Sequence, residues 1–140
     1  MRKSLASLCL LVGLLACRSD KPEDRIRGAF ERCRAAVEAG DAAVATEPLA
    51  EDFRGPEGMD RPSARLFLMG VLRQERVGVT LLREDLRVQG AQAVQDVDLV
   101  LTGRRGSLLP QEASTRSFRL LWRRQGGDWK LKTLEPLDGR

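Results

Sequence analysis

The apolar period of this chain changes once, near residue 76. Before that point apolar residues recur at helical spacing; after it they alternate one by one. Ile26, Phe30, Cys33 and Val37 fall at i, i+4, i+7 and i+11, one face of a helix over residues 20–39. Asp20 and Glu23 stand at capping-box spacing, and Gly40 supplies the stop. Asp41 opens a second helical stretch over 42–53, divided at Pro48. Gly55, Pro56 and Gly58 mark a loop, and Asp60 with Pro62 opens a third helix over 62–75. In that helix Leu66, Met69 and Leu72 lie on adjoining turns, and Phe67 and Leu68 widen the apolar face.

From Val77 the pattern is that of strands. The first covers 77–88, with a kink near Glu84 and Asp85. In 93–102, Val97, Leu99 and Leu101 take one face and Asp96 and Asp98 the other. In 115–124, Phe118, Leu120 and Trp122 oppose Arg119, Leu121 and Arg123. The run Gln125-Gly126-Gly127-Asp128 is a hairpin turn, after which Trp129, Leu131 and Thr133 oppose Lys130 and Lys132. Three helices followed by an antiparallel sheet make an α+β domain. The long connection over 103–114, carrying Arg104-Arg105 and Leu108-Leu109-Pro110, is its most irregular segment.

Composition agrees with a packed domain: 42% hydrophobic and 31% charged residues, interleaved along 140 residues, fit one core rather than a disordered chain. The formal net charge is +4, but Arg2 and Lys3 contribute two of those charges and lie ahead of the domain. Acidic and basic residues alternate elsewhere, so no basic stripe for nucleic acid is expected.

The leader is different in kind. Arg2-Lys3 precede an apolar run, Leu5 to Leu15, too short to span roughly 30 Å of hydrocarbon. This is the anatomy of an export signal. Its end, Leu14-Leu15-Ala16-Cys17, resembles the lipobox of bacterial lipoproteins, with Leu15 bulkier than the usual small residue. The resemblance implies cleavage after residue 16, lipidation of Cys17, a short tether over 17–21 and a domain over 22–137. It also implies a lipid-anchored place in the bacterial envelope. Arg18 rather than Asp after the cysteine favours the periplasmic face of the outer membrane. Cys9 lies in the leader, so Cys33 has no intramolecular disulfide partner in the domain.

The domain has its own resemblance. Ala39-Gly40-Asp41, then Leu49-Ala50-Glu51-Asp52-Phe53, a further helix, and long strands ending Gly126-Gly127-Asp128-Trp129-Lys130-Leu131 together resemble the nuclear transport factor 2-like superfamily. That group includes the SnoaL-like cyclases and the ketosteroid isomerases. The resemblance implies a curved antiparallel sheet wrapped around three helices as a cone. Phe30, Phe67, Leu72, Phe118, Leu120, Trp122, Trp129 and Leu131 are expected on its inner wall, filling it or lining a pocket for a small apolar ligand.

Enzymes of that superfamily use a carboxylate base in the cone, often with Tyr, His or a second acid. This chain has no Tyr and no His, so no catalytic residue carries over. The same lack of His, with Cys33 alone, leaves no metal-ligand spacing, and nothing in the residues requires a cofactor. Asp96 and Asp98 have outward parity, Asp52 ends the second helical stretch, and Cys33 sits on an apolar face without a base to activate it. The reading is therefore a membrane-tethered, non-catalytic binding or accessory module, with a protein partner or a second copy on the outer sheet face at Arg119, Leu121 and Arg123. The competing reading is a cofactor-independent isomerase, cyclase or dehydratase with a carboxylate in the cone. The leader makes one expectation independent of either: Cys17→Ser abolishes labelling by radioactive palmitate and releases the domain from membranes. Unchanged labelling contradicts the lipobox.

Overall fold

The computed structural model describes residues 21–103 and 115–137. Cys17, the Asp20 cap and nearly all of the 103–114 connection lie outside the described residues. Helix α1 (Pro22–Glu38) begins at Lys21, which gives no side-chain cap, and carries Pro22 in its first turn. It ends as Gly40 anticipates. Gly40 takes φ 77°, and the Gly40 and Asp41 amides donate to Val37 O at 3.0 Å and Ala36 O at 2.8 Å. These bonds satisfy two of the carbonyls left open at a helix end. Asp41 accepts from the Val44 amide and starts α2, a single turn over Ala42–Ala45. Asp60 caps α3 (Arg61–Gln74) by accepting from the Ser63 amide.

The expected helix over 42–53 is the main correction in secondary structure. Its second half is a strand, β1 (Leu49–Arg54). Pro48 disfavours helical backbone at the residue before it, and the sheet offers an alternative. The Leu131 amide donates to Pro48 O at 2.8 Å, and β1 runs parallel to β5 from Leu49 opposite Leu131. The remaining strands are β2 (Gly78–Gln89), β3 (Gln92–Thr102), β4 (Thr115–Gln125) and β5 (Asp128–Pro136). They form one curved, unclosed sheet in the order β1-β5-β4-β3-β2. β4 and β5 join through Gly126 and Gly127, both at positive φ, as a two-residue turn between Gln125 and Asp128 requires.

Two bulges decide which side chains face the helices. Between β4 and β5, Leu121 pairs with Thr133 but Trp122 pairs with Leu131, so Lys132 is the extra residue. The simple alternation expected after Trp129 therefore stops at Leu131. Leu134, opposite Leu120, and not Thr133, packs next on the core. Between β2 and β3 the register shifts between Leu81 and Arg83. Leu82 is pushed out to 59% exposure, and Glu84 comes to lie opposite the buried Val97.

The core lies between α1 and the concave face. Ile26, Ala29, Phe53, Val97, Leu120, Trp122, Trp129 and Leu131 are buried in one cluster, with Phe30 and Phe118 half-buried against it. Arg34 and Glu38 fasten the end of α1 to the start of β2. Arg34 Nη1 donates to Val79 O at 2.9 Å, and the Val79 amide donates to Glu38 Oε1 at 3.1 Å. Helix α3 departs from expectation. It has no buried residue, Leu72 is half-buried outside the cluster, and Phe67, expected on the inner wall, is 61% exposed. The helix packs on β1 and α2 instead of on the concave face of β3 and β4.

The convex face is laced by ion pairs. Arg119 donates to both Asp96 oxygens at 2.8 and 2.9 Å, and Asp98 accepts from Ser117 Oγ at 2.7 Å. Asp52 accepts from Arg123 and from Lys132 Nζ, each at 2.8 Å. The Asp52 carboxyl is lowered below its usual range first by the Arg123 hydrogen bonds and then by Lys132. The Asp96 carboxyl is lowered chiefly by the hydrogen bonds from Arg119.

Two measurements check this packing. Trp122→Ala should cost about 3–5 kcal/mol in urea unfolding, the usual range for emptying a buried aromatic site. Tolerance within about 1 kcal/mol would mean that the ring is not packed. Asp96→Asn should cost at most about 1 kcal/mol at neutral pH, the scale of a surface pair. Because the folded-state pKa of Asp96 is depressed, its contribution is complete above the ordinary value of 3.8 and is lost as pH falls below it. The gap between the two proteins should therefore close in acid; a gap constant from pH 7 to pH 2 contradicts the pairing.

Candidate functional site

The concave face holds two polar features that the alternation alone does not advertise. The first is Gln95, fully buried on β3 between Ala93 and Val97. Its strand partners are Leu86 and Leu120. Trp122 Nε1 donates to Gln95 Oε1 at 3.0 Å, whereas Gln95 Nε2 is buried with no hydrogen-bond partner. An unpaired buried amide N–H costs about 1–3 kcal/mol, so this donor is a standing demand for an acceptor inside the cone.

The second is Glu84. The β2 bulge turns it onto the face of Val97, and its side chain is only 15% exposed. Arg27, one turn into α1, donates from Nε to Glu84 Oε1 at 2.6 Å. This pair bridges α1 to β2 at the rim of the core. The Arg27 side chain is half exposed, and its pKa is raised, first by the hydrogen bond to Glu84.

These residues define what the face can do chemically. Proton abstraction needs a carboxylate with a free lone pair aimed at the substrate; at Glu84, Oε1 is bonded to the Arg27 guanidinium, which leaves Oε2 for any such role. The unpaired Gln95 amide N–H can orient a polar group but cannot exchange a proton with it near neutral pH, and the Trp122 N–H is already donated to Gln95. Burial raises the Cys33 thiol to about 11, which keeps it protonated and a poor nucleophile. Asp96, Asp98 and Asp52 lie on the convex face, away from Gln95. Among the described residues, no group of three His, Cys, Asp or Glu side chains is placed to hold a metal.

Leu120, Trp122, Trp129 and Leu131 are brought together with the half-buried Phe30 and Phe118; Phe67 and Leu72 are not. Open space lies elsewhere. A cleft of about 470 Å³ runs between α1 and the start of β5, lined by Asp24, Arg25, Arg32, Glu47, Asp128 and Lys130 among others. A second, of about 330 Å³, lies beside β1, with Asp52, Arg61 and Arg123 on its walls. Both are strongly charged.

Gln95 and Glu84 were missed for different reasons. Gln95 shares the parity of Ala93, Val97 and Leu99, so its inward position was legible once that face was assigned. Glu84 needed the bulge. Val79 and Leu81 set one parity and Leu86 and Val88 the other, and that conflict within one strand was the available signal.

No protein-family model and no curated protein matches the chain. Solved structures do match. An NTF2-like protein from Cytophaga hutchinsonii has a TM-score of 0.65 at 16% identity, covering 83% of this chain and 97% of its own. An NTF2-like protein with a cystatin-like fold from Novosphingobium aromaticivorans reaches 0.68 at 18% identity, with 84% and 83% covered. A protein from the same organism, provisionally named a scytalone dehydratase, reaches 0.68 at 13% identity, with 81% of each chain covered. At such identities the likeness is one of fold, and with helices packed on a curved, unclosed five-stranded sheet the domain of this chain has the nuclear transport factor 2-like fold.

Proposed function

We propose that this chain is a lipid-anchored protein of the bacterial envelope, held through Cys17 at the periplasmic face of the outer membrane, whose cone is a non-catalytic binding or accessory module. The observation that carries the second half is the state of the concave face. Its centre is filled by Ile26, Val97, Leu120 and Trp122, each 4% exposed or less. Its inward carboxylate, Glu84, is engaged by Arg27. An enzyme working by acid–base chemistry on a small carbonyl compound needs room for substrate beside its base; a filled centre and a carboxylate paired with arginine among the described residues support the non-catalytic reading. The leader, from Arg2 to Cys17, carries the first half. No helix among the described residues is long and apolar enough to cross a membrane, so attachment under this reading rests on the lipid.

Partners are sought on the outside of the domain. The convex sheet face around Arg119, Leu121 and Arg123 is the surface for a protein partner or a second copy.

The test compares the lipidated protein with its Glu84→Gln variant against a panel of small cyclic ketones, lactones and aromatic alcohols. The expected result is no turnover for either protein. Saturable turnover that is lost in Glu84→Gln would establish the competing reading, a small isomerase, cyclase or dehydratase with Glu84 as its base. A saturable melting shift without turnover would identify a binding cone, with Gln95 Nε2 as the donor to examine first.

A further inference from the structure

Helix α3 is built like no other part of the domain. Its sequence, Arg61 to Gln74, contains three arginines, no acidic residue and a run of large apolar side chains. A helix so apolar in a domain of this size is expected to bury a face, yet none of its residues is fully buried: Ala64, Leu68, Met69, Val71 and Leu72 are half-buried on the side that packs on the domain. Leu66 and Phe67 are 68% and 61% exposed. Gly70, one turn on, is also exposed and leaves open space beside them. Arg61, Arg65 and Arg73 make no ion pair among the described residues, in contrast to the paired arginines of the convex face.

We propose that α3 is a membrane-docking element, with Leu66 and Phe67 entering the acyl boundary of an anionic lipid surface and the arginines of the helix meeting its headgroups. This rests on the tethered reading of Cys17. Four features select a lipid surface over other occupants. The first is chemical. Exposed leucine and phenylalanine on a helix that carries arginine and no acid is the composition of interfacial helices, and cationic side chains near an anionic leaflet are attracted to it.

The second is reach. Residues 17–21 extend at most about 17 Å, so a domain anchored at Cys17 lies on the membrane and must turn some face to it. The third is placement. Arg25, near the start of α1, donates to Gly127 O in the β4–β5 turn, and Arg61, the first residue of α3, shares a cleft with Gln125 and Lys130 beside that same turn. The start of α3 thus lies at the tethered end of the domain.

The fourth weighs against a second copy. A twofold contact places the same patch on both partners. Two copies of α3 would bring like charges together around only Leu66 and Phe67, far short of the roughly 1,000 Å² that a stable interface needs. In this protein α3 fixes which way the cone faces.

The experiment uses the lipidated protein in vesicles of phosphatidylethanolamine and phosphatidylglycerol, three to one, containing lipids brominated on the acyl chain. Phe67→Trp places a reporter on α3, and Leu82→Trp places one at an exposed apolar site on β2. Expected is at least a twofold greater quenching of the α3 reporter than of the β2 reporter. Adding Leu66→Glu, or replacing phosphatidylglycerol by phosphatidylcholine, should abolish most of that difference. Equal quenching at both sites overturns the proposal, as does quenching indifferent to the anionic lipid. So does concentration-dependent self-association in detergent that Leu66→Glu abolishes, which would assign the face to a second copy. The mass of the mature N-terminus reports the tether separately. If Cys17 carries no lipid, the tethered reading fails, while the reporter comparison with protein added to the same vesicles still decides whether α3 docks.

Discussion

The structure depends on the meeting of α1 with the inward side chains of β3 and β4. Ile26 and Ala29 of the helix, Ala93 and Val97 of β3, and Leu120 and Trp122 of β4 belong to one buried cluster. Burial of this kind, at roughly 25 cal/mol per Å² of apolar surface, has to offset the ordering of a domain in which α2 is a single turn and α3 has only half-buried apolar residues. Among the described residues Cys33 has no disulfide partner, and hydrophobic contact carries most of that task. Register follows from the same cluster: a slip of one residue in β3 against β4 would turn Val97 and Leu99 outward and bring Asp96 and Asp98 into the core.

Irregularities in the strands position the chemistry. The bulge at Lys132 lets Leu134 follow Leu131 onto the core and leaves Lys132 to pair with Asp52 on the outside. The bulge near Leu82 has the larger consequence, because it brings a carboxylate onto the concave side. There Glu84 meets Arg27, and the charge is compensated where it enters the core rim. Gln95 brings a polar side chain to the centre, tied by one atom to Trp122 and unpaired at the other. The interior is thus able to recognise a polar group and poorly equipped to transfer a proton.

Around this core the charges are sorted by face. The convex side pairs its acids and arginines across strands, whereas α3 collects arginines beside exposed Leu66 and Phe67. The same residue type therefore has two physical roles, set by whether an acid stands opposite on a neighbouring strand.

The sequence by itself determined the period of α1, α3, β3 and β4, the caps at Asp41 and Asp60, the stop at Gly40 and the Gly126-Gly127 turn. It did so because these depend on backbone sterics and on residues within one turn. It also determined the inward parity of Leu120, Trp122 and Trp129 and the outward parity of Asp96, since burying the opposite set would strand charges. Only the tertiary structure decided that 49–54 is a strand, because its hydrogen-bond partners come from β5, some eighty residues later. It alone placed Glu84 inside, where the bulge reconciles two incompatible alternations. And it alone left Phe67 outside: helical spacing marks a face as apolar, but which neighbour covers that face is settled by where the chain packs, and α3 packs against β1 and α2 rather than on the concave face of β3 and β4.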